Sequence, residues 1–266
     1  MGKALFVTGT GTDIGKTYVT GLIVKCLRDA GLSAGYYKAA LSGAEVAADG
    51  TLLPGDALHV ARTAGLDAAD VTVSYVYRDA VSPHLAAQIE HRPMDFAKVA
   101  EDYRRVKERT DYLTVEGSGG IICPLRWDDD EHVVLDDLAV RLGLAALVVA
   151  DAGLGTINAA VLTAEHLHAR GIPLRGFIFN NWQGGLMQED NVRMVEEITG
   201  AHVLARVPHG ATELPMGADA LAALYESCVV RESLRVSVIP CFVGGDILCR
   251  RLRSVTCAIS GIRVRR

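Results

Sequence analysis

A glycine-rich segment near the start of the sequence carries the clearest chemical signal. Residues 9–17 read Gly-Thr-Gly-Thr-Asp-Ile-Gly-Lys-Thr, between an apolar run at residues 5–7 and a segment with helical spacing of its apolar residues. Glycines let backbone amides converge on phosphate oxygens, and the N-terminus of a helix adds partial positive charge. In such a loop Lys16 can reach the outer phosphates, and Thr17 can place its hydroxyl on Mg²⁺. The segment therefore predicts a loop that binds the phosphates of a nucleotide.

The spacing of this loop differs by one residue from the usual Gly-x-x-x-x-Gly-Lys-Ser/Thr pattern. Thr10 stands at the first position of that pattern, and Gly9 comes one residue early. The loop is therefore longer by one residue or turned differently. Its place between a strand and an amphipathic helix still makes nucleotide binding the expectation.

Three charged residues at the ends of predicted elements could complete a phosphate-transfer site. Glu116 closes the apolar strand candidate 112–115, as a metal-binding acid would, and leads into the flexible turn Gly117-Ser118-Gly119-Gly120. Asp56 begins a predicted helix, where it either binds Mg²⁺ or only caps the helix. Lys38 ends the second strand, and its ammonium either lies near the transferred phosphate or belongs to an ordinary surface lysine.

The elements that position these residues alternate along the chain. Apolar runs rich in Val, Ile and Leu recur between longer segments with helical periodicity. We predict strands near residues 5–7, 34–38, 71–77, 112–116, 145–151, 174–180 and 202–207. We predict helices near residues 19–30, 56–64, 96–109, 156–169, 187–199 and 218–226. This pattern is typical of a single α/β domain, P-loop NTPase-like, whose mostly parallel central sheet is flanked by helices on both faces.

The composition is that of a soluble globular protein. Of the 266 residues, 50% are hydrophobic and 22% are charged, and the net charge is −5. The acidic balance argues against nucleic-acid binding, and no apolar run approaches the roughly 18 residues that cross a bilayer. The first residues lead directly into a predicted strand, so we expect no signal peptide and a cytoplasmic protein. The six cysteines form no Cys-x-x-Cys pair, as expected of free thiols in a reducing compartment.

The last part of the sequence differs from the rest in charge and in cysteine content. Residues 228–266 hold eight arginines, two acids and four of the six cysteines, whereas residues 1–227 hold 19 basic and 30 acidic residues. We therefore predict one domain over residues 1–227 and a basic, Cys-rich extension of unknown role over residues 228–266. This extension is either poorly ordered or a basic interaction arm.

Several further motifs accompany the phosphate-binding loop. The full set is Phe6-Val7-Thr8-Gly9-Thr10, Asp13-Ile14-Gly15-Lys16-Thr17, Tyr37-Lys38-Ala39-Ala40-Leu41-Ser42-Gly43, Gly55-Asp56-Ala57-Leu58, Ser82-Pro83-His84-Leu85-Ala86-Ala87, Val115-Glu116-Gly117-Ser118-Gly119-Gly120, Gly155-Thr156-Ile157-Asn158, Asn180 and Val207-Pro208. Over about residues 3–226 the chain resembles the dethiobiotin synthetase family. The combination of Lys38, Ser42 and the Ser-Pro-His segment makes this resemblance specific.

The resemblance implies an ATP- and Mg²⁺-dependent ring closure in biotin biosynthesis. In this family 7,8-diaminononanoate and CO₂ form a carbamate, ATP phosphorylates the carbamate, and the second amine displaces phosphate to give the cyclic urea of dethiobiotin. A carbamate oxygen is a poor leaving group until it carries a phosphoryl group. The site must therefore hold the carbamate and the γ-phosphate in line, and catalysis is mostly positioning and charge neutralisation.

The resemblance also assigns roles to individual residues. It implies Lys16 and Lys38 as catalytic residues, and Thr17, Asp56 and Glu116 as metal ligands. The implied nucleotide-binding residues are Asp13, Ile14, Gly15, Lys16, Thr17, Tyr18, Asp56, Glu116, Gly117, Ser118, Gly119, Asn180, Asn181, Pro208, His209, Gly210 and Glu213. The implied substrate-binding residues are Thr12, Lys38, Ser42, Gly155, Thr156 and Asn158. A homodimer is implied, in which residues 155–158 at a helix N-terminus receive the substrate carboxylate from the neighbouring subunit.

Three positions depart from the family pattern. Gly11 stands where Asp is common, Ala39 follows the second lysine where Pro is usual, and His209 replaces a Trp found in some members. None of the three removes a charge that the chemistry needs. The first two bear on loop rigidity, and the third bears on the selectivity for adenine.

Other readings of the same residues lead to different classes of protein. A nucleotide-driven switch ATPase of the deviant P-loop type would carry an extra lysine early in the loop, where residues 10–12 read Thr-Gly-Thr. An inactive binding scaffold would not need the intact set of Lys16, Thr17, Lys38 and Glu116. We therefore expect an enzyme.

Two smaller features have alternatives that the sequence leaves open. His84 either braces the Ser-Pro-His turn or lines the diamine pocket. Residues 128–131 are four consecutive acids, which form either a solvated loop or a weak cation site.

Overall fold

The computed structural model describes residues 2–226, so the predicted extension at residues 228–266 lies outside the described residues. The strands are β1 (Lys3–Gly9), β2 (Ala34–Leu41), β3 (Glu45–Val46), β4 (Leu52–Leu53), β5 (Val71–Val76), β6 (Tyr112–Glu116), β7 (Pro124–Trp127), β8 (His132–Val134), β9 (Ala146–Asp151), β10 (Leu174–Trp182) and β11 (Val203–Pro208). The helices are α1 (Lys16–Asp29), α2 (Gly55–Ala64), α3 (Pro83–Ile89), α4 (Phe96–Lys107), α5 (Leu135–Leu142), α6 (Thr156–Ala169), α7 (Leu186–Thr199) and α8 (Ala218–Ala222).

Seven of the described strands form one parallel sheet in the order β11-β10-β9-β1-β6-β2-β5. A parallel sheet of this kind is covered by helices on both faces, so its strands are continuous apolar runs. β2, for example, is buried along its whole length. The predicted α/β fold with a parallel central sheet is confirmed. Within residues 2–226 the structure contains no helix that is both long and apolar enough to span a bilayer.

Two apolar layers hold the helices to this sheet, because side chains alternate between the faces of a strand. On one face Leu5 and Val7 of β1 pack with Val19 and Ile23 of α1, in a layer that α2 and α8 extend. On the opposite face Phe6 belongs to a larger layer built with helices α3 to α7. The central strand β1 is thereby fixed from both sides.

The carboxyl ends of β1, β2 and β6 meet at one edge of the sheet, where ligands bind in folds of this kind. In the parallel register, Val7 of β1 and Lys38 of β2 are both paired with Glu116 of β6. The loop that follows β1 leads directly into α1. The fold therefore brings the glycine-rich loop, the second lysine and the candidate metal acid together.

Some short elements were not predicted from the sequence. They are α3, α5 and the antiparallel pairs β3–β4 and β7–β8. Each is too short to show a clear hydrophobic period, although Pro83 at the first position of α3 is a helix-start signal.

The acidic segment at residues 128–131 forms the turn of the β7–β8 hairpin. One oxygen of Asp128 accepts hydrogen bonds from the backbone amides of Asp130 and Glu131, at 3.0 and 2.8 Å. Its other oxygen accepts from the Arg126 guanidinium at 2.7 Å. The structure therefore favours the loop interpretation, with this carboxylate already engaged.

The final helix is shorter than the prediction of residues 218–226. α8 ends at Ala222. The Tyr225 hydroxyl then pairs with the Thr114 hydroxyl at 2.7 Å, and Glu226 forms an antiparallel bridge with Ala4. Tertiary contacts with β1 and β6 thus replace the last helical turn.

Candidate active site

The glycine-rich loop turns into α1 through two residues with left-handed backbone. Asp13 has φ of 59° and Gly15, which precedes the helix, has φ of 82°. A Cβ atom at Gly15 would also lie 2.0 Å from Nδ2 of Asn180. The backbone conformation therefore requires glycine at position 15, and a side chain there would also displace the Asn180 amide from its hydrogen bond with Ile14.

Lys16 is the first residue of α1, and its side chain is held inside the site. Its ammonium donates to the carbonyl of Gly119 at 3.1 Å, and the residue is 8% exposed. Burial, reinforced by the nearby charge of Lys38, lowers the pKa of Lys16. Anionic oxygens entering the loop would relieve both effects, as expected of a phosphate-binding lysine.

A buried lysine joins the two candidate metal acids. The Lys38 ammonium donates to Oε1 of Glu116 at 2.8 Å and also to Oδ2 of Asp56. Lys38 and Glu116 are 3% and 1% exposed, whereas Asp56 is partly exposed at the N-terminus of α2. Asp56 therefore lies in the first turn of a helix and faces the site at the same time.

Burial on its own would lower the pKa of Lys38, but the carboxylates of Glu116 and Asp56 outweigh it and raise that pKa. The ammonium therefore stays charged. Lys16 and Lys38 carry two positive charges, and Asp56 and Glu116 carry two negative charges. The group of four therefore has no net charge. Such pairing is what allows charged side chains to be buried beneath a cleft.

The oxygen atoms around this lysine fit a divalent cation. The Thr17 hydroxyl donates to Oε1 of Glu116 at 2.7 Å, beside the contact that Lys38 makes. A hydroxyl and two carboxylates are hard donors of the kind Mg²⁺ prefers, and Mg²⁺ usually takes only one or two carboxylates together with phosphate oxygens. The candidate site has only two such carboxylates, and across residues 2–226 the structure contains no group of three or more His, Cys, Asp or Glu residues that could hold a metal. A metal here would therefore need phosphate oxygens as further ligands.

These residues line one cleft of about 530 Å³. Its lining residues are Thr12, Asp13, Gly15, Lys16, Thr17, Tyr18, Lys38, Leu41, Ser42, Asp56, Glu116, Ser118 and Gly119. The Ser118 hydroxyl donates to the carbonyl of Ala40 and so ties the turn after β6 to β2. The structure thus brings together the predicted phosphate, metal and diamine residues of the glycine-rich loop, β2 and β6.

The predicted base-binding residues lie at the ends of β10 and β11. The side-chain amide of Asn180 donates to the carbonyl of Ile14 at 3.0 Å, and its oxygen Oδ1 has no hydrogen-bond partner among the described residues. Asn181 instead donates to Asp151 at 2.6 Å. Only the first of the two asparagines therefore touches the glycine-rich loop.

The segment after β11 is anchored to α1 next to this position. The Tyr18 hydroxyl donates to the carbonyl of Ala211. Pro208, His209, Gly210 and Glu213 are exposed around this anchor. Their placement leaves them free to contact a base or a ribose.

The residues predicted to bind the substrate carboxylate lie elsewhere. Gly155 has φ of 94° and precedes Thr156, the first residue of α6. Asn158 lines a separate groove of about 420 Å³ with Thr10, Ile122 and other residues. Within one chain the structure does not bring residues 155–158 into the cleft of Lys16.

The Ser-Pro-His segment also lies away from the cleft. The Ser82 hydroxyl and Nδ1 of His84 are 3.0 Å apart at the start of α3. His84 lines another cavity, of about 370 Å³, with Gln88, Arg126 and other residues. The structure therefore favours the bracing role for His84.

One residue that contacts the site was not singled out from the sequence. The Tyr36 hydroxyl donates to Oε2 of Glu116 at 3.1 Å. Tyr36 lies two residues before Lys38 on β2, so both side chains project from the same face of the strand. The two-residue spacing between Tyr36 and Lys38 could have indicated that both face the site. It predicts a contact with Glu116 only once β6 is known to be the neighbouring strand.

The fold and the loop together define a P-loop, nucleoside triphosphate-binding class of α/β protein. Residues 3–212 match the family described as an AAA domain. Among solved structures, the 54 kDa signal recognition particle protein of Aeropyrum pernix K1, in complex with GDP, superposes with a TM-score of 0.50 at 17% identity. That match covers 82% of this chain and 44% of the other, and at such low identity it shows the fold alone.

Sequence similarity narrows this class to one family. The ATP-dependent dethiobiotin synthetase BioD of Brachyspira hyodysenteriae is 47% identical over 216 residues, which cover 80% of this chain and 96% of that protein. The ATP-dependent dethiobiotin synthetase BioD of Clostridium novyi is 41% identical over 210 residues, covering 78% and 88%. The chain belongs to the ATP-dependent dethiobiotin synthetase family.

Proposed function

We propose that this chain performs the reaction of its family, the ATP-dependent closure of 7,8-diaminononanoate and CO₂ to dethiobiotin. The observation that carries the proposal is the position of Lys38. Its buried ammonium lines the same cleft as Lys16 of the glycine-rich loop, next to the acid at the end of β6. A second lysine at this place suits a site where an anionic carbamate meets a terminal phosphate.

The proposed chemistry is a transfer followed by a displacement. One amine adds to CO₂ and loses a proton, giving a carbamate. A carbamate oxygen then forms a bond to the γ-phosphorus while the bond to ADP breaks. The second amine attacks the carbamate carbon, loses a proton, and expels phosphate together with that carbamate oxygen. Each step needs alignment and charge neutralisation more than a nucleophile from the protein.

In this scheme Lys16 binds the outer phosphates and Lys38 orients the carbamate, while Thr12 and Ser42 at the rim of the cleft contact the diamine end. Thr17, Asp56 and Glu116 are the proposed Mg²⁺ ligands, and the ion when bound supplies positive charge at the phosphate oxygens. Lys38 binds carboxylate oxygens of Asp56 and Glu116, the same groups that would coordinate the metal. Its ammonium therefore has to release at least one of these oxygens when the metal binds. The released N–H groups can then turn toward the carbamate.

Asn180 supports a preference for adenine. Its amide group is committed to the carbonyl of Ile14, which leaves Oδ1 as an acceptor without a partner among the described residues. The 6-amino group of adenine can donate to this acceptor. Guanine has a carbonyl at position 6, which cannot donate. A buried acceptor left unpaired is costly, so the site is expected to favour ATP over GTP.

We also propose a homodimer in which the neighbouring subunit supplies residues 155–158. The Thr156 hydroxyl is buried without a hydrogen-bond partner among the described residues, at a helix N-terminus suited to a carboxylate. In the groove that Asn158 lines, the apolar residues Ile122 and Leu162 are each more than half exposed. Apolar surface in this place suits a partner subunit and the alkyl chain of the substrate.

Phosphate release tests the proposed function. Purified protein with ATP, Mg²⁺ and bicarbonate is expected to release phosphate only when the diamine is added. A Lys38→Met variant is expected still to bind ATP but to lose most of its turnover, about a hundredfold or more, because it lacks the charge that orients the carbamate. Phosphate release that ignores the diamine would instead support a nucleotide-driven switch.

A further inference from the structure

Glu116 is held by three hydrogen-bond donors from two elements. Oε1 accepts from the Thr17 hydroxyl of α1 at 2.7 Å and from the Lys38 ammonium of β2 at 2.8 Å. Oε2 accepts from the Tyr36 hydroxyl of β2 at 3.1 Å. The carboxylate is almost fully buried, so these donors determine its orientation.

The three donors are expected to respond differently when the metal and the substrates bind. Thr17 and Lys38 both face the cleft, and both are expected to engage the metal, the phosphates or the carbamate. Tyr36 is fully buried in the layer beneath α1 and contacts the opposite oxygen. It is therefore the donor that can stay in place while the other two change partners.

We propose that Tyr36 is a positioning residue for the metal ligand Glu116, whose carboxylate it holds by Oε2 so that Oε1 stays turned toward the metal position. This inference rests on the proposed function, because it assumes that Glu116 binds the divalent ion. Partners that orient a ligating carboxylate are typically worth a factor of 10–100 in metal affinity.

The setting of Tyr36 suits a permanent donor. The phenol is fully buried, and its hydroxyl lies 3.1 Å from Oε2 of Glu116. The strands also fix its reach, since Tyr36 pairs with Thr114 and Lys38 with Glu116 in the register of β2 and β6.

The test is the affinity for Mn²⁺, measured by electron paramagnetic resonance with a non-hydrolysable ATP analogue and no diamine. Tyr36→Phe is expected to weaken Mn²⁺ binding about tenfold or more, while the affinity for the analogue without metal stays unchanged. In turnover, the Mg²⁺ concentration for half-maximal rate rises similarly, and kcat at saturating Mg²⁺ is largely kept.

Tyr225→Phe is the matched control. It removes the hydroxyl of an equally buried tyrosine, whose partner is Thr114, two residues before Glu116 on the same strand. Both variants keep the aromatic ring, so both are expected to fold, and thermal unfolding checks this. The control is expected to lose some stability and to bind Mn²⁺ as the unaltered protein does.

Unchanged Mn²⁺ affinity in Tyr36→Phe would overturn the inference, and so would an equal loss in Tyr225→Phe. A fall in kcat without a shift in the Mg²⁺ requirement would also contradict it. The Mn²⁺ measurement contains no diamine, so it does not depend on ring closure. Failure of diamine-dependent phosphate release in the unaltered protein would refute the proposed function without deciding the role of Tyr36.

Discussion

Lys38 has a structural position in the site, between two acids, and a proposed chemical role. In the described state its ammonium bridges Asp56 and Glu116, and it thereby neutralises a pair of acids that would otherwise repel each other. The same two acids are the proposed ligands of a divalent ion. A protein cation and a metal cation cannot both occupy that position, so we expect them to compete.

This competition gives a prediction for the nucleotide-free protein. Lys38→Met is expected to bind Mn²⁺ about tenfold or more tightly than the unaltered protein, because the two carboxylates lose their internal counter-ion. Lys16→Met is the control, since the Lys16 ammonium donates to the carbonyl of Gly119 rather than to a carboxylate. Titration calorimetry with Mn²⁺ measures both. Equal tightening in the two variants would show a simple change of net charge, and no tightening would refute the competition.

Residue types and local spacing revealed part of this site. Lys16, Thr17 and Glu116 belong to contiguous motifs whose chemistry can be recognised without a fold. The sequence left Asp56 open between capping and metal binding, and the structure shows why, since it lies in the first turn of α2 and also touches Lys38. Tyr36 could not be identified, because its contact with Glu116 depends on which strands are neighbours.

At the scale of elements, α5 and α6 are joined by buried ion pairs. Asp136 and Asp137 lie in the first turn of α5, where acids favour a helix N-terminus. Arg170, which follows α6, contacts Oδ2 of Asp136 at 2.9 Å and also contacts Asp137. His166 of α6 lies 2.7 Å from the same oxygen of Asp136. This cluster fixes the helix that begins at the proposed carboxylate-binding segment.

Breaking this cluster is expected to destabilise the fold. Arg170→Ala leaves two buried carboxylates without their main counter-charge, so the free energy of unfolding should fall by about 3 kcal/mol. Arg193→Ala on α7 is the control, because its pairs with Asp190 and Glu197 are exposed and should contribute less than about 1 kcal/mol. Urea unfolding of both variants measures the difference. Equal losses would contradict a structural role for the buried pairs.

Elements that depend on distant contacts were the ones not predicted correctly from the sequence. The main parallel strands are apolar runs bounded by helical patterns, so their existence follows from local sequence. α5 spans only Leu135–Leu142, and its two adjacent acids look like surface residues until α6 is placed against them. In the same way α8 was predicted too long, because the pairing of Glu226 with Ala4 is a contact across the whole chain.

At the scale of the whole molecule, the proposed dimer accounts for a feature that one chain leaves unexplained. The N-terminus of α6 carries the residues expected to bind the substrate carboxylate, yet they do not line the cleft of Lys16. A second copy of the chain would supply them from outside. The exposed Leu162, farther along α6 in the groove that Asn158 lines, belongs to the surface that such a copy would cover.

Leu162→Glu is therefore expected to give a monomer. Because a charge in an apolar interface is costly, diamine-dependent turnover should fall more than about tenfold, while ATP binding is kept. Ile198→Glu is the control, since Ile198 on α7 is similarly exposed but lines a different cavity. Size-exclusion chromatography with light scattering reports the mass of each variant. A dimeric Leu162→Glu protein with full activity would refute this interface.

The most direct test of the proposed chemistry follows the oxygen atoms of CO₂. In a single turnover with ¹⁸O-labelled CO₂, the diamine, Mg²⁺ and ATP, the carbamate oxygen that attacks the γ-phosphorus should leave with the phosphate. Mass spectrometry is therefore expected to find one ¹⁸O atom in the released phosphate and one in the urea carbonyl of dethiobiotin. Phosphate that carries oxygen from water and none from CO₂ would contradict a phosphorylated carbamate.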